Sequence, residues 1–202
     1  MIEWSIDAFR ASDPVRSIVV AAPPGHVGDV ARGHNLGVVA GGATRAQSVA
    51  AALEAVGTGY VAVHDAARPL LTPELVEALV ADLDESPEAA GVIAAAPVVD
   101  TIKRATETNL RSDTSEVSDH RLAIERTEDR SELWAAQTPQ LFRTEALREA
   151  LAAAERPEEA TDEAMLVERA GGTVLLHPVE GQNLKVTTPL DLRVAELLLE
   201  GR

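Results

Sequence analysis

Short apolar runs alternate with amphipathic segments along this chain, and no other feature limits its fold as tightly. Residues 17–22 (SIVVAA), 36–40 (LGVVA), 60–64 (YVAVH), 89–98 and 173–177 read as buried strands. Between them lie segments with helical spacing. Ile2, Ile6 and Phe9 share one face of residues 2–11, which Asp13-Pro14 ends. Thr44 is placed to cap a helix over 45–56 that stops at Gly57. Thr72-Pro73 opens a helix to about Leu83, and Leu147 and Leu151 mark one face of residues 144–155. Thr161 reads as the cap of a helix reaching Ala170, and Thr188-Pro189 opens a terminal helix over 190–199. Residues 28–33 suggest a short helix and loop, 133–137 a strand followed by a turn at Thr138-Pro139-Gln140, and 183–186 a short strand. This alternation predicts a layered α/β fold with a mainly parallel sheet flanked by helices.

The 202 residues suit a single domain spanning 1–202, large enough for a real core. Hydrophobic residues make up 46% but aromatics only 2%, so that core must be built from Ala, Val and Leu. No apolar run approaches the roughly 20 residues of a membrane span. With no basic-then-apolar opening and no cysteine, a cytoplasmic protein is expected. A net charge of -15 excludes a broad nucleic-acid-binding face. It leaves room for a small polyanion where a few cations converge in one cleft. Of 18 basic residues only Lys103 and Lys185 are lysines, which draws attention to both.

Residues 100–130 interrupt the pattern with dense charge and turn formers. Such a stretch reads as a solvated loop or as a protruding arm. Strand-like pieces at 100–104 and 122–126 favour a β-arm.

Four groups bear chemistry. YVAVHDAARP ends an apolar strand in Asp65, two alanines and Arg68, at the strand end where open α/β sheets bind ligands. Asp65 reads equally as a turn cap. Gly41-Gly42 joins a strand to a helix whose N-terminus favours an anion, or is simply a tight turn. Thr101, Thr138 and Thr161 offer hydroxyls, and Lys185 sits beside a strand end in NLKVT.

Taken in order, GGATRAQSV, VHDAARPLLT, APVVDTIKR, LWAAQTPQLF, ATDEAMLVERAGG and EGQNLKVTTPLDL resemble the 2-C-methyl-D-erythritol 4-phosphate cytidylyltransferases. The resemblance runs from Ile2 to Leu199 and is interrupted mainly in the arm. It implies a Rossmann-like nucleotidyltransferase fold and a reaction joining CTP to methylerythritol phosphate with release of pyrophosphate, in non-mevalonate isoprenoid precursor synthesis. Alternatives are a non-catalytic, dimerising relative, or transfer to another polyol phosphate such as ribitol 5-phosphate. The VHDAARP wording favours methylerythritol phosphate.

By resemblance, Gly42 and Ser48 hold the cytidine, while Ala43 stands where the family often has an Asp reading the base. Asp65 and Ala66 line the ribose and triphosphate side, with Asp65 a candidate ligand of the Mg²⁺ expected with CTP. Arg68 supports the sugar-phosphate site, and Thr138 and Thr161 add polar contacts. Thr101 and Arg130 lie on an arm reaching into the partner of a homodimer. Arg130 and Lys185 position the methylerythritol phosphate. His64 is assigned to packing, because a phosphate monoester is already ionised near neutral pH. The family opens with a strand and a Gly-rich phosphate loop, and Met1-Ile2-Glu3-Trp4 aligns beyond it. The expectation is that residues 1–202 carry one wall of a triphosphate site, with turnover by this stretch alone depending on the other.

Overall fold

The computed structural model describes residues 1–31, 36–110, 119–179 and 182–201, with backbone alone at 108–110 and 119–121. The chain forms two compact units, Met1–Ala95 with Ala136–Arg202, and Ala96–Ala135.

In the larger unit, β1 (Val19–Ala22) pairs in parallel with β2 (Gly37–Ala40). A four-stranded sheet runs in the order β3 (Tyr60–Val63), β7 (Trp134–Arg143), β4 (Gly91–Pro97), β8 (Val174–Pro178). β4 and β8 are parallel, whereas β3 and β7 are antiparallel. The α/β fold flanked by helices is as the alternation implies, and its sheet is mixed, with β7 running against β3. Thr138-Pro139-Gln140 reads in the sequence as a turn. Instead the chain stays extended through a cis Thr138-Pro139 bond and continues to Arg143. Gln140 to Arg143 are the residues paired with β3, so Pro139, which has no N–H to give, falls just outside that ladder. Residues 183–186 form no strand, although the Val186 N–H donates to Ala67 O at 2.7 Å.

The helices begin where short polar side chains satisfy their first amides. Thr44 makes a reciprocal capping box with Gln47 at the start of α3 (Arg45–Leu53), and Thr188 does the same with Asp191 for α7 (Pro189–Glu200). Thr72 caps α4 (Pro73–Glu85) ahead of Pro73 at the first helical position. α6 (Glu163–Arg169) is capped by Asp162, not Thr161. The Asp162 carboxylate accepts from the Met165 N–H, while the Thr161 hydroxyl turns to the Met165 sulfur. α1 (Ile2–Ala11) and α5 (Thr144–Ala153) fall where periodicity places them. α3 stops three residues short of Val56, and α2 (Val27–Ala31) follows a 3-10 turn. The suggested loop end at Gly33 lies outside the described residues.

One core cluster packs Phe142, Leu147, Leu166, Val167 and Ile93; a second joins Leu79, Leu83, Val92 and Leu141. β4 is buried from Gly91 to Ala95, as a strand covered on both faces must be. The smaller unit is an antiparallel hairpin of β5 (Lys103–Leu110) and β6 (Asp119–Thr127), longer than the two strand pieces suggested by sequence. Part of the arm, residues 111–118, is outside the described residues.

Gly91 allows the ring of Phe142 to lie against the β4 backbone. A Cβ there would stand 2.3 Å from the Phe142 ring and 2.8 Å from Leu141 O. Gly91→Ala should therefore destabilise the protein by about 1–3 kcal/mol, read as a lower urea midpoint at unchanged slope.

Candidate active site

The end of β3 is fastened by a relay of hydrogen bonds that the residue types dictate. The Asp65 N–H donates to Thr138 Oγ1 at 3.0 Å, and Thr138 Oγ1 lies 3.1 Å from His64 Nδ1. His64 Nε2 lies 3.1 Å from Arg68 O. A consistent assignment has the threonine hydroxyl donate to a neutral ring whose Nε2–H donates onward. The Phe9 ring meets the imidazole edge-on at 5.6 Å. Desolvation pushes the His64 pKa down to about 4. The ring thereby bridges the Thr138 hydroxyl and the Arg68 carbonyl at the end of β3.

Two buried side chains tie a third segment to this point. Arg68 Nη1 donates to Asn183 O at 2.6 Å, and Asn183 Nδ2 donates to Thr138 O at 2.8 Å. Arg68, Thr138 and Asn183 are all buried. Arg68 thus supports the site from beneath. Its fixed contact aligns the 183–187 segment so that Lys185, two residues on, stands over Asp65.

Asp65 is the meeting point of the charges. One carboxylate oxygen takes the Lys185 ammonium at 2.8 Å, and the other faces Arg45 Nη2 at 3.4 Å. Arg45 Nη1 bonds both oxygens of Glu163, which is 1% exposed. Burial pushes the Asp65 carboxyl up, but Lys185, Arg45 and Arg68 outweigh it and hold the group below its ordinary value. Burial raises Glu163 despite the opposing pull of Arg45. The result is a row of alternating charge, Lys185, Asp65, Arg45, Glu163, with its outer end exposed and its inner end buried.

The glycine turn adjoins this row at the start of α3. The Gly42 N–H donates to Ser48 Oγ at 3.1 Å, and the Ala43 N–H to Gln47 Oε1 at 2.8 Å. A Cβ on Gly42 would lie 2.3 Å from the Gln47 Cβ, so the close turn excludes any side chain. Gln140 lies behind, donating to Asp162 and accepting from the Ala164 N–H.

The larger unit thus brings Gly42, Ser48, Asp65, Arg68, Thr138 and Lys185 into one connected framework. Ala66 follows Asp65 and is exposed. Thr161 is exposed beside the α6 cap. Thr101 and Arg130 belong to the hairpin unit, where Arg130 Nη1 donates to Val99 O at 2.6 Å. Sequence reading passes over Arg45 and Glu163 as catalytic-site candidates. The only available signal is a Glu at the start of a helix, whose partner lies 118 residues away.

Among the described residues no group of three or more His, Cys, Asp or Glu side chains converges to hold a metal. A single carboxylate, Asp65, fits Mg²⁺ bound mainly through substrate phosphates. It would have to release Lys185 or Arg45 to serve.

Comparison with known proteins gives a uniform picture. The family model for 2-C-methyl-D-erythritol 4-phosphate cytidylyltransferase matches residues 1–201. A bifunctional IspD/IspF enzyme of an Anaeromyxobacter species is 45% identical over 96% of this chain, which spans 49% of that enzyme's length. A 2-C-methyl-D-erythritol 4-phosphate cytidylyltransferase of Trichodesmium erythraeum is 35% identical, with 98% of this chain and 85% of the relative covered. The crystal structure of the cytidylyltransferase of Thermus thermophilus superposes with a TM-score of 0.77 at 35% identity, covering 98% of this chain and 88% of that one.

Because His64 is held neutral by folding, it links stability to pH. Its folded pKa lies below the ordinary 6.5, so its contribution is complete above pH 6.5 and is lost as pH falls towards about 4. The loss should reach about 2–3 kcal/mol at the acid end. Urea midpoints measured from pH 7 to 4.5 should fall more steeply for the native protein than for His64→Gln.

Proposed function

The chain belongs to the 2-C-methyl-D-erythritol 4-phosphate cytidylyltransferase family, and on that premise we propose that it transfers the cytidylyl group of CTP to methylerythritol phosphate. The reaction serves non-mevalonate isoprenoid precursor synthesis, in the cytoplasm. Among the described residues no helix is long and apolar enough to cross a membrane. The observation that carries the reading is the Lys185–Asp65–Arg45–Glu163 row at the carboxyl end of β3, beside the glycine turn and the N-terminus of α3.

In the proposed reaction a phosphate oxygen of methylerythritol phosphate attacks the α-phosphorus of CTP. A new P–O bond forms, the α–β bridging bond breaks, and its electrons leave with pyrophosphate. The attacking oxygen is already anionic, so no side chain needs to take a proton and no protein nucleophile is required. The difficulty is electrostatic, since two polyanions must meet. Lys185 supplies a mobile ammonium at the open end of the row. Arg45, anchored by a buried carboxylate, supplies a fixed guanidinium. Gly42 and Ser48 would hold the cytidine against the turn, with Asp65 and Ala66 beside the ribose and triphosphate. Mg²⁺ held by Asp65 would neutralise phosphate charge. Thr138 and Thr161 would add polar contacts.

Arg130 and Thr101, on the hairpin, are assigned to the acceptor side of the site. In this reading the hairpin is a dimerisation arm, and Arg130 would serve the site of the partner subunit. CTP and a polyol phosphate are the ligands, and nucleic acid is not.

Pyrophosphate release from CTP and Mg²⁺ should depend on methylerythritol phosphate and be weaker with ribitol 5-phosphate. Equal release with both would move the assignment to a general polyol phosphate acceptor, and nucleotide binding without release would leave a non-catalytic relative. Lys185→Ala should lower kcat/KM by about 10²–10³-fold, the magnitude for losing one positioned charge. Its melting temperature should change little, because Lys185 is 47% exposed.

A further inference from the structure

A buried side-chain amide costs stability unless both of its ends are matched. Gln140 of β7 is 1% exposed and is matched at each end. Its Nε2 donates to Asp162 Oδ2 at 2.9 Å and, more weakly, to Gln137 O at 3.4 Å. Its Oε1 accepts from the Ala164 N–H at 3.1 Å. A carboxylate only accepts and a backbone N–H only donates, so these contacts demand a side chain with both a donor and an acceptor. Glu lacks the donor, Met lacks both, and Asn is a methylene shorter.

The helix does not need this arrangement for its cap, since Asp162 already receives the Met165 N–H. What Gln140 adds is a tie from the sheet to the residues on either side of Glu163. The Glu163 backbone is thereby fixed to β7, and its carboxylate, 1% exposed, receives Arg45 Nη1 on both oxygens. A planar guanidinium gripped at one nitrogen turns its other donors in a set direction, here Nη2 towards Asp65 Oδ1 at 3.4 Å. Two residues before Gln140 on the same strand, Thr138 Oγ1 accepts from the Asp65 N–H. β7 therefore carries both supports. Thr138 holds the aspartate, and Gln140 holds the helix start that grips the arginine.

The geometry points to Gln140 as a positioning residue, which aims the Arg45 guanidinium through the start of α6 and Glu163. The inference rests on the proposed reaction, in which Arg45 meets the phosphates near Asp65. Stabilising charge in a transition state requires the cation to be in place before the phosphates arrive. Displacing such a group by about 1 Å costs up to ~10²-fold in rate. Gln140 bonds to neither Arg45 nor Asp65, so its effect reaches the site only by way of Glu163. That effect is on orientation for the chemical step, and it belongs to kcat rather than KM.

Two readouts on the full 202-residue chain test the proposal. The first is nuclear magnetic resonance of isotope-labelled arginine without substrate. A gripped guanidinium gives separate Nη1 and Nη2 signals, because rotation about its Nε–Cζ bond is hindered. Gln140→Met should merge the Arg45 pair. Asp162→Asn, which leaves an oxygen for the Met165 N–H but sets an amide donor against Gln140, should do the same and serves if Gln140→Met does not fold. The second readout is pyrophosphate release. Gln140→Met should lower kcat about tenfold or more with KM within about twofold. In a Glu163→Gln background, where the grip on Arg45 is already weakened, the same change should cost less than about twofold. Equal losses of kcat in both backgrounds would make Gln140 structural only and overturn the proposal. An Arg45 pair already merged in the native protein, or unchanged by either substitution, would overturn it as well. Absence of release by the native chain would remove the proposed reaction, whereas the guanidinium signals need no substrate and still decide whether Gln140 aims Arg45.

Discussion

The site depends on one carboxylate held between two cations. Lys185 and Arg45 approach Asp65 from opposite sides and, with Arg68, favour its ionised form against the cost of partial burial. Arg45 reaches Asp65 with one nitrogen while the other is anchored by Glu163, a buried acid for which that cation is the partner. The polarity of the row is therefore set from within. The buried acid fixes the arginine, the arginine and lysine flank the aspartate, and the ammonium closes the row at its exposed end.

Holding such a row requires three distant segments to meet, and the chain achieves this with neutral hydrogen bonds and one buried arginine. Thr138 is the hub. Its hydroxyl receives the Asp65 amide and meets His64, while its carbonyl receives Asn183. Arg68 then takes the Asn183 carbonyl. Fixed backbone groups, rather than long flexible side chains, set the spacing of Asp65 and Lys185. A site preorganised in this way loses less side-chain entropy when a ligand arrives.

What could be read in the sequence was local chemistry. Thr44, Thr72 and Thr188 cap helices because a short hydroxyl that accepts from the backbone N–H three residues on needs no tertiary information. Asp65 and Lys185 were legible as the polar ends of apolar or extended stretches. The misreadings occurred where two local options were comparable. Thr161 and Asp162 are both good caps, and Asp162 takes the role while its second oxygen is held by Gln140. Thr138-Pro139 has the composition of a turn, yet the buried faces around it keep the chain extended. Arg45–Glu163 was not legible because it joins two helix starts through space.

The two lysines show how far a composition argument carries. Rarity singled out Lys103 and Lys185 equally. Lys103 lies on the hairpin, where its ammonium donates to the Thr127 hydroxyl at 2.7 Å in an exposed cross-strand contact. Lys185 faces the Asp65 carboxylate just past the carboxyl end of β3. The same charge therefore serves two unrelated purposes, and only its surroundings distinguish them. The surroundings also resolve the conflict between a net charge of -15 and a polyanionic ligand. Exposed acids beyond about 8 Å are screened at physiological ionic strength. Within that distance the ligand would meet Lys185 and Arg45, whose nearest acids are already engaged with them. Local pairing, not the global sum, sets the field at the site.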